Sequence, residues 1–177
     1  IGAELCRQIA KFRPARLVLF DISEAALYEI RTALGDEFTQ LPMVTVVGDV
    51  KHAALVEDVL EREKPNVVFH AAAYKHVPLM EETNAWQAVR NNAWGTWVLA
   101  RAAAAARVEK FVLVSTDKAV NPTSVMGASK RLAEMVCQTL ANGPTQFVIV
   151  RFGNVFGSAG SVIPRFREQI ARGGPVT

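Results

Sequence analysis

The sequence has few of the residues that build disulfides or metal sites. It contains two cysteines and three histidines among 177 residues, and Cys6 and Cys137 stand far apart without a CxxC spacing. Zinc sites use closely spaced Cys and His ligands, and disulfide frameworks are typical of short, cysteine-rich secreted chains. We therefore interpret both cysteines as buried thiols in a protein of a reducing compartment, and we predict no metal site.

Long hydrophobic runs and concentrated charge are also lacking. Apolar runs such as 102–106 and 111–115 are far shorter than the roughly 20 residues that cross a bilayer. The net charge is only +3, and the lysines and arginines are spread along the chain. The sequence therefore predicts neither membrane contact within residues 1–177 nor a nucleic-acid surface.

What is present is an alternation of short apolar strands and amphipathic helices. The predicted strands are 16–20, 43–47, 66–69, 111–114 and 146–150, and the predicted helices cover 5–12, 23–34, 53–60, 86–100 and 129–140. Strands that are apolar on both faces are typical of a parallel sheet covered by helices. We predict an α/β fold, a doubly wound parallel sheet (Rossmann-like), as a single NAD(P)-binding domain over 1–177. We expect its first strand and C-terminal substrate portion to lie outside this sequence, so that the domain is truncated at both ends.

In such folds ligands bind beyond the carboxyl ends of the strands. Asp21 ends the strand 16–20 and follows Gly2, the expected last glycine of a phosphate-binding turn, by the roughly 20 residues of a dinucleotide fingerprint. A carboxylate there accepts hydrogen bonds from ribose hydroxyls and repels a 2′-phosphate, which favours NAD over NADP. The alternative is that Asp21, with Ser23, caps the next helix.

Two further strand ends carry candidate cofactor contacts. Asp49 and Val50 follow the strand 43–47, where Asp49 could meet the adenine amino group or simply form a turn. His70 ends the next strand, and we expect it to be a core histidine. The small side chains after it allow close approach of a dinucleotide; they are Ala71, Ala72 and Ala73.

Three segments in this order carry a resemblance: 70–78 (HAAAYKHVP), 115–119 (STDKA) and 151–158 (RFGNVFGS). Together they resemble the bacterial polysaccharide-biosynthesis dehydratases that act on UDP-N-acetylglucosamine, in the extended short-chain dehydrogenase/reductase superfamily. The likeness runs from Gly2 to Thr177. It implies a UDP-sugar substrate and 4,6-dehydration to a 4-keto-6-deoxy sugar.

The resemblance also implies site residues. Thr116, Asp117 and Lys118 match the active-site segment, and Lys130 matches the lysine that holds the nicotinamide ribose. Asn92 matches the structural asparagine of the central helix, and Asn154 and Ser161 match positions that contact the nucleotide sugar. From their positions after two strands, we expect Ser115 on the cofactor side and Lys75 and His76 on the substrate side, where Lys75 could neutralise a phosphate. The alternative for Lys75 and His76 is simple exposure on a loop.

One position departs from the superfamily. Met126 stands four residues before Lys130, where the superfamily has a tyrosine. A methionine cannot exchange a proton, so the base for the sugar 4-hydroxyl stays open. The long, membrane-anchored branch of these dehydratases is similar in carrying Met there, which implies work on the cytoplasmic side of a bacterial inner membrane.

The implied reaction moves a hydride from sugar C4 to NAD+, eliminates water across C5 and C6, and returns the hydride to C6. We expect Asp117 to be the acid, with a pKa raised by burial, and Lys118 the base, while Thr116 hydrogen-bonds the 4-oxygen. The alternatives are a nucleotide-sugar 4-epimerase or reductase, and a non-catalytic nucleotide-sugar-binding module. By the same resemblance we expect a homo-oligomer through helices 84–107 and 129–140. We expect no activity from residues 1–177 alone, because part of the phosphate-binding turn and the sugar-binding portion are expected to lie outside them.

Overall fold

The structure is a computed structural model that describes residues 1–153, 155 and 162–176. Strands and helices alternate as the sequence predicts. In chain order the elements are α1 (Gly2–Ala10), β1 (Leu17–Asp21), α2 (Glu24–Glu37), β2 (Met43–Val47), α3 (Ala53–Glu63), β3 (Val67–His70), α4 (Val77–Met80), α5 (Ala85–Ala88), a π-helical turn (Val89–Trp94), α6 (Gly95–Ala105), β4 (Lys110–Val114), a 3-10 turn (Asp117–Ala119), α7 (Val125–Leu140), β5 (Gln146–Val150) and α8 (Val162–Ala171).

All strand pairs are parallel, which confirms the predicted fold class. β1 pairs with β2, with Leu17 opposite Met43, and β4 pairs with both β3 and β5. In one respect the structure differs from the expectation of a single sheet: the described strands form one sheet of two and one of three. Helices also leave part of β3 open, since Val67 and Phe69 are 40% and 41% exposed.

The core lies between the strands and the helices that follow them. Phe111 and Leu113 of β4 are fully buried among side chains of α3, α6 and α7, and a second cluster packs α2 against Leu19 of β1. Phe20 packs against the first cluster, so the two sheets share apolar contacts. Each fully buried side chain of this kind stabilises the fold by about 1.5–3 kcal/mol. Both cysteines are free, and Cys137 is buried as predicted, whereas Cys6 is only half-buried. Burial raises the pKa of the Cys137 thiol to about 12.

α7 begins four residues before its predicted start. The Ser124 hydroxyl caps it by accepting from the Gly127 amide (3.1 Å), and the Glu81 carboxylate accepts from the Val125 amide (3.0 Å). A Cβ added to Gly127 would lie 2.3 Å from the Lys118 carbonyl oxygen. Glycine at this position therefore lets the first turn of α7 pack directly on the segment after β4.

The predicted helix around residues 84–107 is interrupted by the π-helical turn Val89–Trp94. Such turns insert one extra residue into a helix and are frequent at functional sites. Here the turn buries two polar side chains, Asn91 and Asn92, which the α-helical period of the sequence does not reveal.

In the part of the chain that the structure describes, no helix is both long and apolar enough to cross a membrane. Within those same residues no cluster of three or more His, Cys, Asp or Glu side chains could hold a metal ion.

Candidate active site

Hydrogen bonds connect the carboxyl ends of strands from both sheets, which lie at one end of the molecule. The Gly48 amide donates to the Asp21 carbonyl oxygen (2.9 Å), which joins the ends of β1 and β2. Lys51 forms an ion pair with Asp49 (2.8 Å) and donates to Asn91 Oδ1 of the π-helical turn (3.4 Å). The segment after β2 is thereby tied to the helix that follows β3.

Asn92 continues this connection. Its side chain is fully buried, accepts from the Tyr74 amide (2.8 Å), and donates to the Tyr74 carbonyl oxygen (3.0 Å) and to Ser129 Oγ (3.0 Å). Asn92 thus fixes the segment after β3 against α7. These bonds fit the structural role implied by the resemblance, and direct contact of Asn92 with a cofactor stays a prediction.

Thr116, Asp117 and Lys118 lie directly after β4. Thr116 Oγ1 donates to Asp117 Oδ1 (2.9 Å) and accepts from the Lys118 amide (3.3 Å), and Lys118 Nζ pairs with Asp117 Oδ1 (3.1 Å). The Asp117 side chain is 56% exposed. Hydrogen bonds from Lys118 and then Thr116 lower its pKa. The expectation of an Asp117 pKa raised by burial is therefore wrong for this structure, because the side chain is open to solvent and paired with a cation.

Lys130 reaches the same strand end from inside the protein. It is 4% exposed, and Nζ donates to the Val114 carbonyl oxygen (2.7 Å). Burial lowers its pKa to about 8. One turn earlier, Met126 is buried against Met80 and Ala88, so its thioether belongs to an apolar cluster.

His70 is a buried core histidine, as predicted from the sequence. Thr96 Oγ1 donates its single proton to the Asn92 carbonyl oxygen (2.6 Å), so His70 Nε2, at 2.8 Å from Thr96 Oγ1, must be the donor to that hydroxyl. Burial, and secondarily the charge of Lys130, lowers the pKa of His70 to about 3. The imidazole is neutral and helps to anchor the π-helical turn.

The structure of Asp21 is compatible with both interpretations of this residue, contact with a ribose and a role at the start of the next helix. It is exposed at the end of β1, where a ribose could reach it, and its Oδ1 accepts from the Ser23 amide (2.9 Å) while Ser23 caps α2. Asp49 likewise forms a turn, with Oδ1 accepting from the Lys51 amide (2.9 Å). Burial opposes the charge of Asp49, and the hydrogen bonds from Lys51 outweigh it, so the pKa of Asp49 is lowered.

The other predicted contacts take varied positions. Val50 is buried and lies 2.8 Å from where a Cβ on Gly95 would stand, whereas Gly2 has no neighbour within 4 Å of such a Cβ. Among the predicted contacts after β3, the exposed residues are Ala72, Ala73, Lys75 and His76, and Ala71 is half-buried. The predicted substrate contacts Asn154 and Ser161 lie outside the described residues.

Glu134 is a site residue that was not predicted from the sequence. This carboxylate is fully buried and accepts hydrogen bonds from Ser115 Oγ (2.7 Å) and from Arg151 Nε (2.7 Å) and Nη2 (2.5 Å). Burial opposes its charge, but the donors, Arg151 first, lower its pKa to about 2. A signal was present, because Glu134 is a charge on the otherwise mostly uncharged face of α7, four residues after Lys130.

Parallel strands whose carboxyl ends carry an exposed carboxylate and small side chains define the class of Rossmann-like domains. Within this class, the Thr-Asp-Lys segment after β4 resembles that of the extended short-chain dehydrogenases/reductases. The chain belongs to the polysaccharide biosynthesis protein family, whose model matches residues 1–177.

Curated relatives agree with this assignment. The chain is 51% identical to the capsular polysaccharide biosynthesis protein CapD of Staphylococcus aureus, over 100% of this chain and 30% of the relative. It is 35% identical to an inverting UDP-N-acetylglucosamine 4,6-dehydratase of Campylobacter jejuni (93% and 48%) and 39% identical to a UDP-glucose 4-epimerase of Rickettsia rickettsii (74% and 39%). The chain therefore spans less than half the length of each of these relatives.

Solved structures share the fold. The X-ray structure of Pen from Bacillus thuringiensis matches with a TM-score of 0.85 and 32% identity, over 96% of this chain and 55% of that one. A double mutant of the dTDP-glucose 4,6-dehydratase DesIV from Streptomyces venezuelae, which has NAD bound, matches with a TM-score of 0.80 and 25% identity, over 99% and 60%.

Proposed function

We propose that the protein is an NAD-dependent UDP-N-acetylhexosamine 4,6-dehydratase that makes a 4-keto-6-deoxy sugar for a surface polysaccharide or glycan. The observation that carries the proposal is the pair of Asp117 and Lys118 at the end of β4, next to the Thr116 hydroxyl. Elimination of water needs one base and one acid close together. The 35% identity to an inverting UDP-N-acetylglucosamine 4,6-dehydratase supports the same assignment.

The ion pair can supply both groups. Transfer of one proton from Lys118 Nζ to Asp117 Oδ1, 3.1 Å apart, converts the pair into a neutral amine and a carboxylic acid. A sugar that covers the pair and excludes water favours this neutral form, because isolated charges are costly without solvent. Lys118 then removes the C5 proton and Asp117 protonates the departing 6-hydroxyl. Water leaves, the C5–C6 double bond forms, and the ion pair is restored.

The residues on the cofactor side fit NAD. Asp21 presents an exposed carboxylate, and Ala72 and Ala73 present small exposed side chains, at strand ends. Asp21 would hold the adenosine ribose, and Lys130 would hold the nicotinamide ribose from inside the protein. When bound, NAD+ supplies the acceptor and later the donor of the hydride. The related DesIV double mutant has NAD bound.

The product identifies the function. The full-length protein is incubated with NAD+ and UDP-N-acetylglucosamine, and the sugar is analysed by NMR and mass spectrometry. We expect loss of one water and a 4-keto-6-deoxy sugar. The second candidate is a 4-epimerase, favoured by the 39% identity to a UDP-glucose 4-epimerase, and it would give an inverted hexose of unchanged mass. Binding without conversion would indicate a nucleotide-sugar-binding module and contradict both enzymes.

We also propose that the protein works on the cytoplasmic side of a bacterial inner membrane, as the resemblance implies. We further propose that it is a homo-oligomer joined through helices 84–107 and 129–140. Trp86 and Trp94 are 66% and 53% exposed, and Leu132 and Met135 of the adjoining α7 are 44% and 48% exposed. Large aromatic side chains on a surface are typical of interfaces.

A further inference from the structure

The Glu134 carboxylate has more partners than a structural ion pair requires. Besides Ser115 and both nitrogens of Arg151, it accepts a hydrogen bond from Arg131 Nη1 (3.0 Å). A carboxylate without solvent is very costly unless its oxygens are satisfied, and apolar residues often fill such space at no loss of stability. The ion pair instead fixes the relative position of the two residues, because a guanidinium that binds a carboxylate through two nitrogens sets both the distance and the angle between them.

Glu134 joins two segments that carry site residues. Ser115 is the first residue after β4, and Arg151 is the first residue after β5. The backbones of these segments are also paired: the Ser115 amide donates to the Val150 carbonyl oxygen (2.7 Å), and the Asp117 amide donates to that of Phe152 (3.0 Å). The two segments therefore continue the parallel pairing of β4 and β5 beyond the strands.

One face of α7 holds the last residue of β4 and the segment after it at three successive points along the helix. Gly127 packs on the Lys118 carbonyl, Lys130 Nζ donates to the Val114 carbonyl oxygen, and Glu134 accepts from Ser115 Oγ. Residues three and four apart share a helix face, so these contacts form a single row. Across from this row, a Cβ on Gly153 would lie 3.4 Å from Asp117 Oδ2. The segment after β5 thus borders the carboxylate of Asp117 itself.

We infer that Glu134 is a positioning residue, whose buried carboxylate locks the segment 115–118 against residues 151–153 and so fixes where Asp117 and Lys118 meet the sugar. The inference rests on the proposed dehydratase function. Asp117 and Lys118 are themselves solvent-exposed, so their placement depends on how firmly the backbone beneath them is held.

The test compares three variants of the full-length protein. Glu134→Gln keeps the shape but removes the charge, and Arg151→Lys keeps the charge but removes the two-nitrogen contact. Arg131→Gln is the matched control, since it removes one donor to the same carboxylate without touching either segment. We expect kcat to fall about 100-fold in the first two variants, because a displacement near 1 Å costs about that much. KM for the UDP-sugar and Kd for NAD should stay within about threefold of the unmutated protein in all three variants. The reason is that the contacts that bind these molecules equally in the ground state and the transition state are unchanged.

Amide hydrogen exchange separates this inference from the proposed function. We expect faster exchange at residues 115–119 in Glu134→Gln and Arg151→Lys, while Arg131→Gln and the amides of β4 stay unchanged. The double variant Glu134→Gln/Arg151→Lys should lose no more activity than either single variant, because both break one linkage.

Two results would overturn the inference. One is unchanged exchange at 115–119, and the other is faster exchange with an unchanged kcat. Should Glu134→Gln fail to fold, Arg151→Lys decides alone on the same readouts. A full-length unmutated protein that forms no 4-keto sugar would refute the dehydratase, and the locking of the segment is then judged by exchange alone.

Discussion

At the scale of single residues, Lys118 decides the proposed chemistry. Lys118→Ala removes the base for the C5 proton, and general acid–base groups contribute about 10²–10⁴-fold to rate. We expect exchange of the C5 hydrogen with solvent deuterium to fall by about that factor, while NAD binding survives. Mass spectrometry of substrate recovered from D₂O measures the exchange. Lys110→Ala is the control, because Lys110 is an exposed lysine at the opposite end of β4. Normal exchange in Lys118→Ala would show that the base is another group.

Lys130 gives a prediction on pH. Burial lowers its pKa from 10.5 to about 8. Between these values the unfolded chain binds the proton that the folded protein releases, so stability rises with pH across this window. Below pH 8 Lys130 is protonated in both the folded and the unfolded protein, so the folded state is destabilised by the full free energy of burying its charge.

The measurement compares the free energy of unfolding of the unmutated protein with that of Lys130→Met. We expect the unmutated protein to gain about 3 kcal/mol relative to the variant between pH 8 and 10.5. An equal pH dependence in the two proteins would mean that Lys130 titrates normally in the fold. Denaturant titrations at several pH values provide the free energies.

At the scale of elements, Gly127 tests the contact between α7 and the segment after β4. In Gly127→Ala the new methyl group would stand 2.3 Å from the Lys118 carbonyl oxygen, a backbone atom. The helix or the segment must move, and overpacking of this kind costs about 1–3 kcal/mol. We expect lower stability together with a lower kcat, since the displaced backbone carries Lys118.

Gly35→Ala is the matched control for that variant. Gly35 lies inside α2, where the nearest atom to an added Cβ is Met43 Cε at 3.9 Å. Alanine is the better helix former, so this variant should gain about 0.4–1 kcal/mol and keep its activity. Thermal denaturation compares the two. A Gly127→Ala protein as stable as the unmutated one would argue against the tight contact.

Most elements could be predicted from the sequence, because apolar periodicity reflects burial directly. The strands Met43–Val47 and Gln146–Val150 have their predicted bounds. The first turn of α7 was missed because its start is set by the Ser124 cap and by Glu81, which is distant in sequence. The π-helical turn was missed for a similar reason, since buried contacts of Asn91 and Asn92 stabilise it.

The candidate site, like the fold, could be predicted from the sequence only in part. Strand ends can be located from periodicity, so Asp21, Asp49 and the segment after β4 were predicted as neighbours of a ligand crevice. What each side chain does there depends on partners that spacing does not reveal. The Asp117 pKa was predicted in the wrong direction because exposure and the pairing with Lys118 are tertiary properties.

At the scale of the whole molecule, the exposed tryptophans predict the oligomer interface. Trp94→Glu places a charge where the proposed partner copy would bury an aromatic ring. Loss of an interface hot spot costs about 2 kcal/mol or more, which is roughly a 30-fold weaker association. We expect the full-length variant to shift toward monomer in size-exclusion chromatography with light scattering, over a series of protein concentrations.

The control for this shift is Tyr28→Glu. Tyr28 is 68% exposed on α2, which is not one of the helices of the proposed interface, so it matches the aromatic exposure of Trp86 and Trp94. We expect this variant to keep the oligomeric state of the unmutated protein. An unchanged Trp94→Glu oligomer, or an equal shift in both variants, would place the interface elsewhere. Asn92 lies in the same π-helical turn as Trp94 and donates a hydrogen bond to Ser129 of α7. A monomer with normal kcat would therefore also show that the hydrogen bonds of Asn92 form without the partner copy.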